Sequence, residues 1–454
     1  MMRKEMTRQQ TLRPAHPEGI KKVVSNRPPA QAYNDTTDMN ETQDTDLSAR
    51  FFARQPIFDI KHRTWGYAVT FGRLTDGPSV NIGDAQTENL NATAGMLSLA
   101  DALFGQGRKI VISFGERAAL DETPYALPAD RTIIEVQGCA SLPASAAMPL
   151  GEFREDGFGI ALSLTEAAKA IDQIRCTADY LVADVAGRSM EDIRELLKRV
   201  PHEGVQLLAR GVNGISELNL AKTLGFDLFQ GTFFQSPEPL VSRAPNSHEA
   251  SRFKLLGAIE QPDPDFDKLT EAITHDVAIS YRLLSYLNSP AFGFSDRITS
   301  IRQAMVLLGW KQLKNWLRVV ILTDISPNAQ MRQILIQSVQ RGKFFELAAA
   351  SQPNKQDDPD AVFLLGLFSL LEPLLHLPMK ELVEHLPLAD DMSSALTGSA
   401  ENRYSLWLRV AQTYECAEWE ALDTLIEQLG LHPLTVSVAY YKSIMWAETF
   451  FSIT

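Results

Sequence analysis

The pattern of hydrophobic and polar positions divides the chain into two parts. From Phe51 to about residue 240, short apolar runs alternate with amphipathic stretches. The runs predicted as strands are Lys109–Phe114, Arg131–Val136, Gly159–Ser163, Tyr180–Ala183 and Val205–Ala209, and the helices predicted between them include Thr87–Leu103, Thr165–Ile174 and Met190–Arg199. Strands that alternate with helices predict a parallel sheet with crossover helices. The apolar runs themselves barely alternate, which is typical of strands buried on both faces.

Beyond residue 250 the apolar positions follow helical spacing, and no strand is predicted. Ile301, Ala304, Met305 and Leu308 lie three or four residues apart, as residues on one face of a helix do. Further helices are predicted over Arg332–Ala350, Ala361–Leu374, Met379–His385, Arg403–Tyr414, Trp419–Leu429 and Leu434–Trp446. The very apolar stretch Val362–Leu371 is predicted as the central buried helix of an all-α region.

Composition shifts predict the domain boundaries. Residues 1–50 hold few large hydrophobic residues and many polar ones, so they are predicted to be disordered or loosely attached. The Pro- and Ser-rich stretch SPEPLVSRAPNSHEA contains a predicted linker at 241–250. The chain is thus divided into an α/β domain at 51–240 and an all-helical domain at 251–454.

Charge and cysteine content narrow the class of protein. The net charge of −13 argues against a nucleic-acid-binding or membrane-binding role. The three cysteines, Cys139, Cys176 and Cys416, lie far apart in no metal-ligand spacing, which is typical of a reducing compartment. The first residues, MMRKEMTRQQ, lead into no apolar stretch, so no signal peptide is predicted. We expect a cytoplasmic protein.

Two segments of the α/β domain resemble EAL domains, which are (β/α)8 barrels that hydrolyse cyclic di-GMP. The opening segment FFARQPIFDIKHRTWGYAV (51–69) is similar to their first motif, and GFDLFQGTFFQSP (225–237) is similar to their last strand and its Gln-Gly turn. The resemblance implies a TIM-like barrel over 51–240. This stretch of roughly 190 residues is short for that fold, which leaves open the loss of a strand or a helix.

The second domain resembles HDOD domains, helical output modules related in fold to HD phosphohydrolases but normally without their metal site. The similarity runs through LTEAITHDVAISYRLLSYLNSPAFGFSDRITSIRQAMVLLGWKQLKNWL (269–317). Recurring residues of the family correspond to Asn288, Ser289, Pro290, Ile298, Ser300, Leu308, Gly309 and Trp310. Together the two domains resemble the family of EAL–HDOD two-domain signalling proteins. Trp310 and Trp316, with Leu313 and Leu317, lie at helical spacing and are interpreted as core, with a partner groove as the alternative.

The EAL resemblance implies a site of two divalent cations held by carboxylates at the carboxyl ends of the barrel strands. Most of the residues that would build it are replaced. The replaced positions correspond to Ala68, Ser113, Ser163, Leu164, Val182 and Arg210, and the retained ones to Glu135, Asp184 and Gln230. Arg210 brings a fixed positive charge, and two like charges about 4 Å apart repel by roughly 4 kcal/mol at an effective dielectric constant near 20. We therefore predict no metal, no cofactor and no hydrolysis.

Two further features suggest chemistry but have simpler explanations. Arg73 and Arg210 could contact the phosphates of cyclic di-GMP, although exposed or paired surface arginines are the favoured interpretation. The doublet His275–Asp276 is shared with HD phosphohydrolases, but a metal site needs another upstream histidine and a downstream aspartate. Asp276 stands where a helix begins and is interpreted as its cap.

The favoured function is a non-catalytic signal-transduction protein that acts by protein–protein contact, within cyclic di-GMP regulation. Its partners would be other signalling proteins, which the sequence does not identify. The first alternative is a cyclic di-GMP receptor that binds without hydrolysis. A residual cyclic di-GMP phosphodiesterase or an HD phosphohydrolase is the less favoured alternative. The sequence does not indicate the oligomeric state.

Overall fold

The structure is a computed structural model, and its described residues belong to one compact unit. They are 50–73, 104–105, 107–115, 123–138, 147–169, 178–235, 246–261, 269–270, 273–274, 276–288, 298–325, 331–386 and 388–453. The predicted helix Thr87–Leu103 and nearly all of the predicted amino-terminal segment lie outside these residues. No helix among them is both long enough and apolar enough to cross a membrane.

Eight strands close into a barrel. They are β1 (Arg50–Asp59), β2 (Thr64–Arg73), β3 (Lys109–Phe114), β4 (Thr132–Val136), β5 (Gly159–Ser163), β6 (Tyr180–Asp184), β7 (Gln206–Arg210) and β8 (Leu228–Gln230). Strands β2 to β8 are parallel to their neighbours, whereas β1 runs antiparallel to both β2 and β8. The barrel therefore has its full number of strands. The opening segment supplies two of them as a hairpin, and β1 closes the gap between β2 and β8.

Barrel helices described by the structure are α1 (Ala147–Glu155), α2 (Leu164–Ala167), α3 (Met190–Arg199) and α4 (Ile215–Thr223). Helix α3 has the predicted bounds because its capping box is encoded locally. The Ser189 hydroxyl accepts from the backbone N–H of Asp192 at 3.2 Å, and the Asp192 carboxylate accepts from the N–H of Ser189 at 3.3 Å. The predicted helix Thr165–Ile174 corresponds to the short α2, and residues 170–177 lie outside the described part of the chain.

The second half of the chain is helical throughout its described residues. Its helices are α5 (Ser247–Ile259), α6 (Val277–Leu287), α7 (Ile301–Leu308), α8 (Trp310–Ile325), α9 (Arg332–Ala350), α10 (Pro359–Phe368), α11 (Leu371–Leu375), α12 (Met379–Glu384), α13 (Asp390–Leu396), α14 (Arg403–Glu415), α15 (Trp419–Gln428) and α16 (Pro433–Ile453). Residues Val362 to Phe368 are all buried, as predicted for the central helix. Trp316, Leu313 and Leu317 are buried as well, whereas Trp310 is only partly buried against the core.

Several predicted boundaries differ from the structure, and α16 continues to Ile453 instead of ending at the predicted Trp446. Helix α5 begins at Ser247, inside the predicted linker 241–250, because Asn246 caps it by accepting from the backbone N–H of Glu249 at 2.9 Å. The predicted helix Ala361–Leu374 is two helices, α10 and α11. Proline cannot donate the backbone bond that a helix interior requires, and the break places Pro373 in the first turn of α11, where no donor is needed.

The barrel interior is filled by one apolar residue from each strand. These residues are Ile57, Ala68, Val111, Ile133, Ala161, Val182, Leu208 and Leu228, and together they form a separate buried cluster. Because side chains alternate along a strand, residues two positions further on point to the same side. That next ring lies at the carboxyl ends of the parallel strands and forms the mouth of the barrel.

The outer face of β1 and β2 is covered by helices of the second half. The ring of Phe52 on β1 contacts Tyr440 and Tyr441 of α16 edge to face, with centroids 5.8 and 6.3 Å apart. Tyr67 on β2 donates its hydroxyl to Gln333 of α9 at 3.4 Å. Buried residues of the barrel exterior and of the helical half form one continuous cluster. The helical half thus packs against these two strands as an outer helical layer.

Helices α9 and α10 cross at two glycines, and this crossing gives a direct test of the packing. A Cβ atom on Gly366 would lie 2.5 Å from the backbone nitrogen of Gly342, whereas one on Gly257 of α5 would meet nothing within 4 Å. We expect Gly366→Ala to lower the free energy of unfolding by about 1–3 kcal/mol, since the helices must separate. The matched control Gly257→Ala should raise it by about 0.5–1 kcal/mol. Urea denaturation of both variants measures this, and equal effects would contradict the close crossing.

Candidate functional site

The mouth of the barrel brings together most of the residues that the sequence singled out. It is the ring formed by Gln55, Ser113, Glu135, Ser163, Asp184, Arg210 and Gln230, each two positions from an interior residue of its own strand. The strand register places Ser113 beside Glu135, and Arg210 between Asp184 and Gln230. Gln55 is the member that the sequence analysis did not single out, because it lies on the antiparallel strand β1.

Three of the replaced positions lie away from this ring. Ala68 and Val182 belong to the apolar layer directly below it and are 6% and 3% exposed. Leu164 is the first residue of α2 and packs into the main hydrophobic core. Alanine and valine have no polar side-chain group, so this layer presents only apolar surface to the mouth. The floor of the mouth is therefore apolar.

Arg210 and Glu135 form an ion pair across the mouth. The Arg210 Nη2 lies 2.6 Å from Oε2 of Glu135, whose side chain is only 5% exposed. The Ser113 hydroxyl donates to the same oxygen at 2.7 Å. Arg210 Nε donates to Gln230 Oε1 at 3.3 Å, and Gln230 Nε2 donates to Gln55 at 2.8 Å. The carboxylate of Glu135 is therefore already bound by the permanent positive charge of Arg210.

The remaining mouth carboxylate does not complete a cation site. Asp184 is exposed, and its Oδ1 accepts from the backbone N–H of Ala186 at 3.1 Å. Within the described residues, no group of three or more histidine, cysteine, aspartate or glutamate side chains is placed to hold a metal ion. The side chain of Arg73, the other predicted phosphate contact, lies outside the described part of the structure. Glu135 and Asp184 alone do not fit the two-cation site that the resemblance implies.

The histidine–aspartate doublet lies beside a second arginine. His275 is outside the described residues, but Asp276 is within them and accepts from the backbone N–H of Ile279 at 3.0 Å, as a helix cap does. Its other oxygen lies 2.5 Å from Arg252 Nη1, and Arg252 Nη2 lies 2.9 Å from Asp324. Asp324 also pairs with Arg282. The guanidinium of Arg252 thus bridges two carboxylates.

This arrangement was not predicted from the sequence. A metal site was expected to need a downstream aspartate, but no residue was assigned to that place, and the structure places Asp324 of α8 close to Asp276. The local signal was that Asp324 is an acidic residue near the end of the apolar run VVILTDI. Its side chain is 8% exposed in the structure. Nothing local indicates that Arg252 on α5 lies between the two acids. A cation at this point would have to displace that guanidinium.

The recurring asparagine of the helical half has a backbone role. Asn288 Nδ2 donates to the carbonyl oxygens of Leu284 at 2.7 Å and Ile298 at 2.8 Å. Its Oδ1 accepts from the backbone N–H of Ile298 at 2.8 Å. Asn288 therefore ends α6 and ties it to the segment that precedes α7. Ser289 and Pro290 lie outside the described residues.

Comparisons with known proteins extend over nearly the whole chain. Residues 247–385 match the family described as the HDOD domain. An uncharacterized protein of Bacillus subtilis, YuxH, is 28% identical over 406 residues, which cover 88% of this chain and 98% of YuxH. CdgJ of Vibrio cholerae, named a cyclic di-GMP phosphodiesterase, is 26% identical over 402 residues, which cover 88% of this chain and 92% of CdgJ.

Solved structures of EAL proteins are similar to the barrel part. An EAL domain protein of Listeria monocytogenes is 16% identical with a TM-score of 0.33, over 42% of this chain and 90% of that one. BlrP1 of Klebsiella pneumoniae, solved with manganese and cyclic di-GMP, is 18% identical with a TM-score of 0.34, over 42% of this chain and 56% of that one. By its own strand topology and by the family match, the chain joins a closed eight-stranded α/β barrel to a helical region that contains an HDOD domain.

Proposed function

We propose that this chain is a non-catalytic signal-transduction protein that works by protein–protein contact within cyclic di-GMP regulation. The observation that supports the loss of catalysis most directly is the Arg210–Glu135 ion pair at 2.6 Å. Metal-assisted phosphodiester hydrolysis needs cations that polarise the phosphoryl group and generate the attacking hydroxide. Among the described residues, the mouth offers such cations Glu135, which is already paired, and the exposed Asp184.

The assignment to cyclic di-GMP regulation is supported by the relatives. A protein named cyclic di-GMP phosphodiesterase matches this chain over 88% of its length. The HDOD match over residues 247–385 supports a regulatory role, because the resemblance implies that such domains are output modules. The partner is expected to be another signalling protein. The bonding of Arg210 favours this function over the receptor alternative. Its guanidinium already donates to Glu135 and Gln230, and a phosphate of cyclic di-GMP would have to compete with these partners.

Hydrolysis of cyclic di-GMP by the purified full-length protein is the first test. With Mn²⁺ or Mg²⁺ present, we expect no turnover above the uncatalysed rate and no metal-dependent rise in melting temperature. The V. cholerae relative named a phosphodiesterase serves as the positive control. Metal-dependent hydrolysis that disappears in the Glu135→Gln variant would refute the proposal, because it would show that this carboxylate still supports a catalytic metal.

Equilibrium binding of labelled cyclic di-GMP separates the interaction protein from the receptor. We expect no binding at micromolar concentrations by the full-length chain. Binding in the micromolar range or tighter that is weakened by Arg210→Met would instead establish the receptor alternative. Affinity capture from the source cells should use the full-length chain, because its helical half packs directly against β1 and β2.

A further inference from the structure

Two polar side chains of the mouth lie next to the points where the barrel meets the helical half. Gln55 and Gln230 are joined by a hydrogen bond of 2.8 Å. They stand on β1 and β8, the pair of strands that closes the barrel, with Ile57 opposite Gln230. Gln230 also accepts from Arg210 at 3.3 Å. The β1–β8 seam, defined by Gln55 and Gln230, is therefore bonded directly to the mouth ion pair.

On the β1 side, the neighbouring residue of the seam is bound to the helical half. Arg54 points to the opposite face of β1 from Gln55, because side chains alternate along a strand. Its Nη1 lies 2.8 Å from Glu448 of α16, and its Nη2 donates to Gln340 of α9 at 3.3 Å. The Arg54 side chain is 3% exposed. A shift of Gln55 along or across the strand must therefore also displace a buried ion pair.

On the β8 side, the chain reaches the helical half within five residues. Gln235 accepts from Arg341 Nη2 at 3.0 Å and donates to Glu415 at 3.1 Å. Arg341 and Glu415 are themselves joined by two bonds of 2.7 Å between α9 and α14, and both side chains are under 10% exposed. The segment that leaves β8 thus ends in a second buried polar contact with the helices.

The segment from Gln230 to Gln235 is held closely against the residues that follow β7. The backbone N–H of Val212 donates to the carbonyl of Gln230 at 3.0 Å, and the N–H of Phe233 donates to the carbonyl of Val212 at 3.0 Å. Gly231 lies so close to Val212 that a side chain there would overlap the backbone. Since Val212 follows Arg210 by two residues, a movement of the end of β7 carries residues 230–235 with it.

We propose that the β1–β8 seam couples the barrel mouth to helices α9, α14 and α16. A change at the Arg210–Glu135 pair, whether by a bound anion, a partner side chain or a substitution, alters the seam and loosens the contacts of Arg54 and Gln235 with those helices. Close-packed interiors transmit displacement because they have few voids to absorb it. This inference goes beyond the proposed function and is independent of which partner the protein binds.

Hydrogen exchange of the full-length protein, followed by mass spectrometry, tests the coupling. In Arg210→Met we expect amide exchange in α9 and α14 to accelerate by about threefold or more relative to α15, which serves as the internal reference. The control is Arg194→Met on α3, which removes an arginine whose partner Glu191 is exposed. It should leave the exchange of α9 and α14 relative to α15 unchanged. If Arg210→Met does not fold, Arg210→Lys keeps the charge, loses the forked donor and should act in the same direction.

The route through the seam has its own test. In a Gln55→Leu background, the additional change Arg210→Met should accelerate exchange in α16 less than it does in the otherwise unchanged protein, since the link from Gln230 to β1 is already broken. Faster exchange confined to 206–212, with α9 and α14 unchanged, would overturn the proposal. Equal acceleration of α9, α14 and α15 would also overturn it, because that pattern reports general destabilisation.

Discussion

Replacement of Arg318 by methionine is expected to lower the free energy of unfolding by about 3–5 kcal/mol. The Arg318 side chain is fully buried on α8 and is bound to two acids from other elements. It donates to Glu260 at 2.6 and 2.7 Å and to Asp360 at 2.8 and 3.1 Å. Lys314 lies 3.0 Å from Glu260 and would remain as a nearby cation. Loss of Arg318 leaves more buried negative charge than Lys314 can compensate.

Urea denaturation of the full-length protein measures this effect. The control is Arg194→Met, in which the lost partner Glu191 is 64% exposed, and the expected change is within about 0.5 kcal/mol. Similar losses in the two variants would mean that burial of the Arg318 network contributes little. A double variant that also replaces Glu260 by leucine should recover part of the loss, because one of the unpaired charges is then removed.

The same variant should change the acid sensitivity of the protein. Burial by itself would raise the pKa of Asp360, but the hydrogen bonds and charges of Arg318 and Lys314 outweigh it and hold that pKa below its ordinary value. A lowered pKa in the folded state contributes stability above the unfolded value, near about 4, and this is lost as the pH falls further. The stability difference between the native protein and Arg318→Met should therefore be largest near neutral pH and should narrow below about pH 4.

Replacement of Arg341 by methionine is expected to have the second large effect, also about 3–5 kcal/mol. Arg341 holds Glu415, whose side chain is 8% exposed, through two bonds of 2.7 Å. It also donates to Ser369 at 3.0 Å and to Gln235 of the barrel at 3.0 Å. The variant therefore leaves a buried carboxylate unpaired and removes a contact between the two halves of the chain.

A matched control for Arg341 lies two residues away on the same helix. Lys343 pairs with Glu346 at 2.9 Å, and Lys311 lies 3.7 Å from the same carboxylate. Because Lys343→Met leaves Glu346 with this second cation, it should cost less than Arg341→Met. The double variant Arg341→Met with Glu415→Leu should recover much of the stability, since an apolar pair can replace a buried ion pair. If Arg341→Met were no worse than Lys343→Met, the contact with Glu415 would not be a main stabilising interaction of this joint.

An arginine pairs with the carboxylates at both places where the EAL and HD resemblances direct attention to acidic residues. Arg210 is bonded to Glu135 at the barrel mouth, and Arg252 lies between Asp276 and Asp324 in the helical half. A guanidinium carries a permanent charge and several directional donors, so it can neutralise carboxylates without a metal ion. In both places it also ties together elements that are far apart in the sequence. These arginines make the acidic groups part of the scaffold.

Local patterns in the chain were enough to predict many of the strands and helices. The bounds of β3, β5, α3 and α9 agree with the predicted ones, and β4, β6 and β7 differ by a single residue at their ends. Periodicity and capping are properties of neighbouring residues, so they can be recognised in a linear sequence. The replaced positions Ser113, Ser163 and Arg210 were assigned through the resemblance to EAL domains, and all three lie in the ring at the mouth.

The way in which these parts are joined follows from tertiary packing and could not be predicted from local patterns. Closure of the barrel by β1, the pairing of Arg210 with Glu135 across 75 residues, and the bridge of Arg252 between Asp276 and Asp324 all depend on register and packing. So does the covering of β1 and β2 by α9 and α16. Contacts between residues far apart in the sequence have no local pattern, because they arise only when the hydrophobic faces of separate elements are buried against each other.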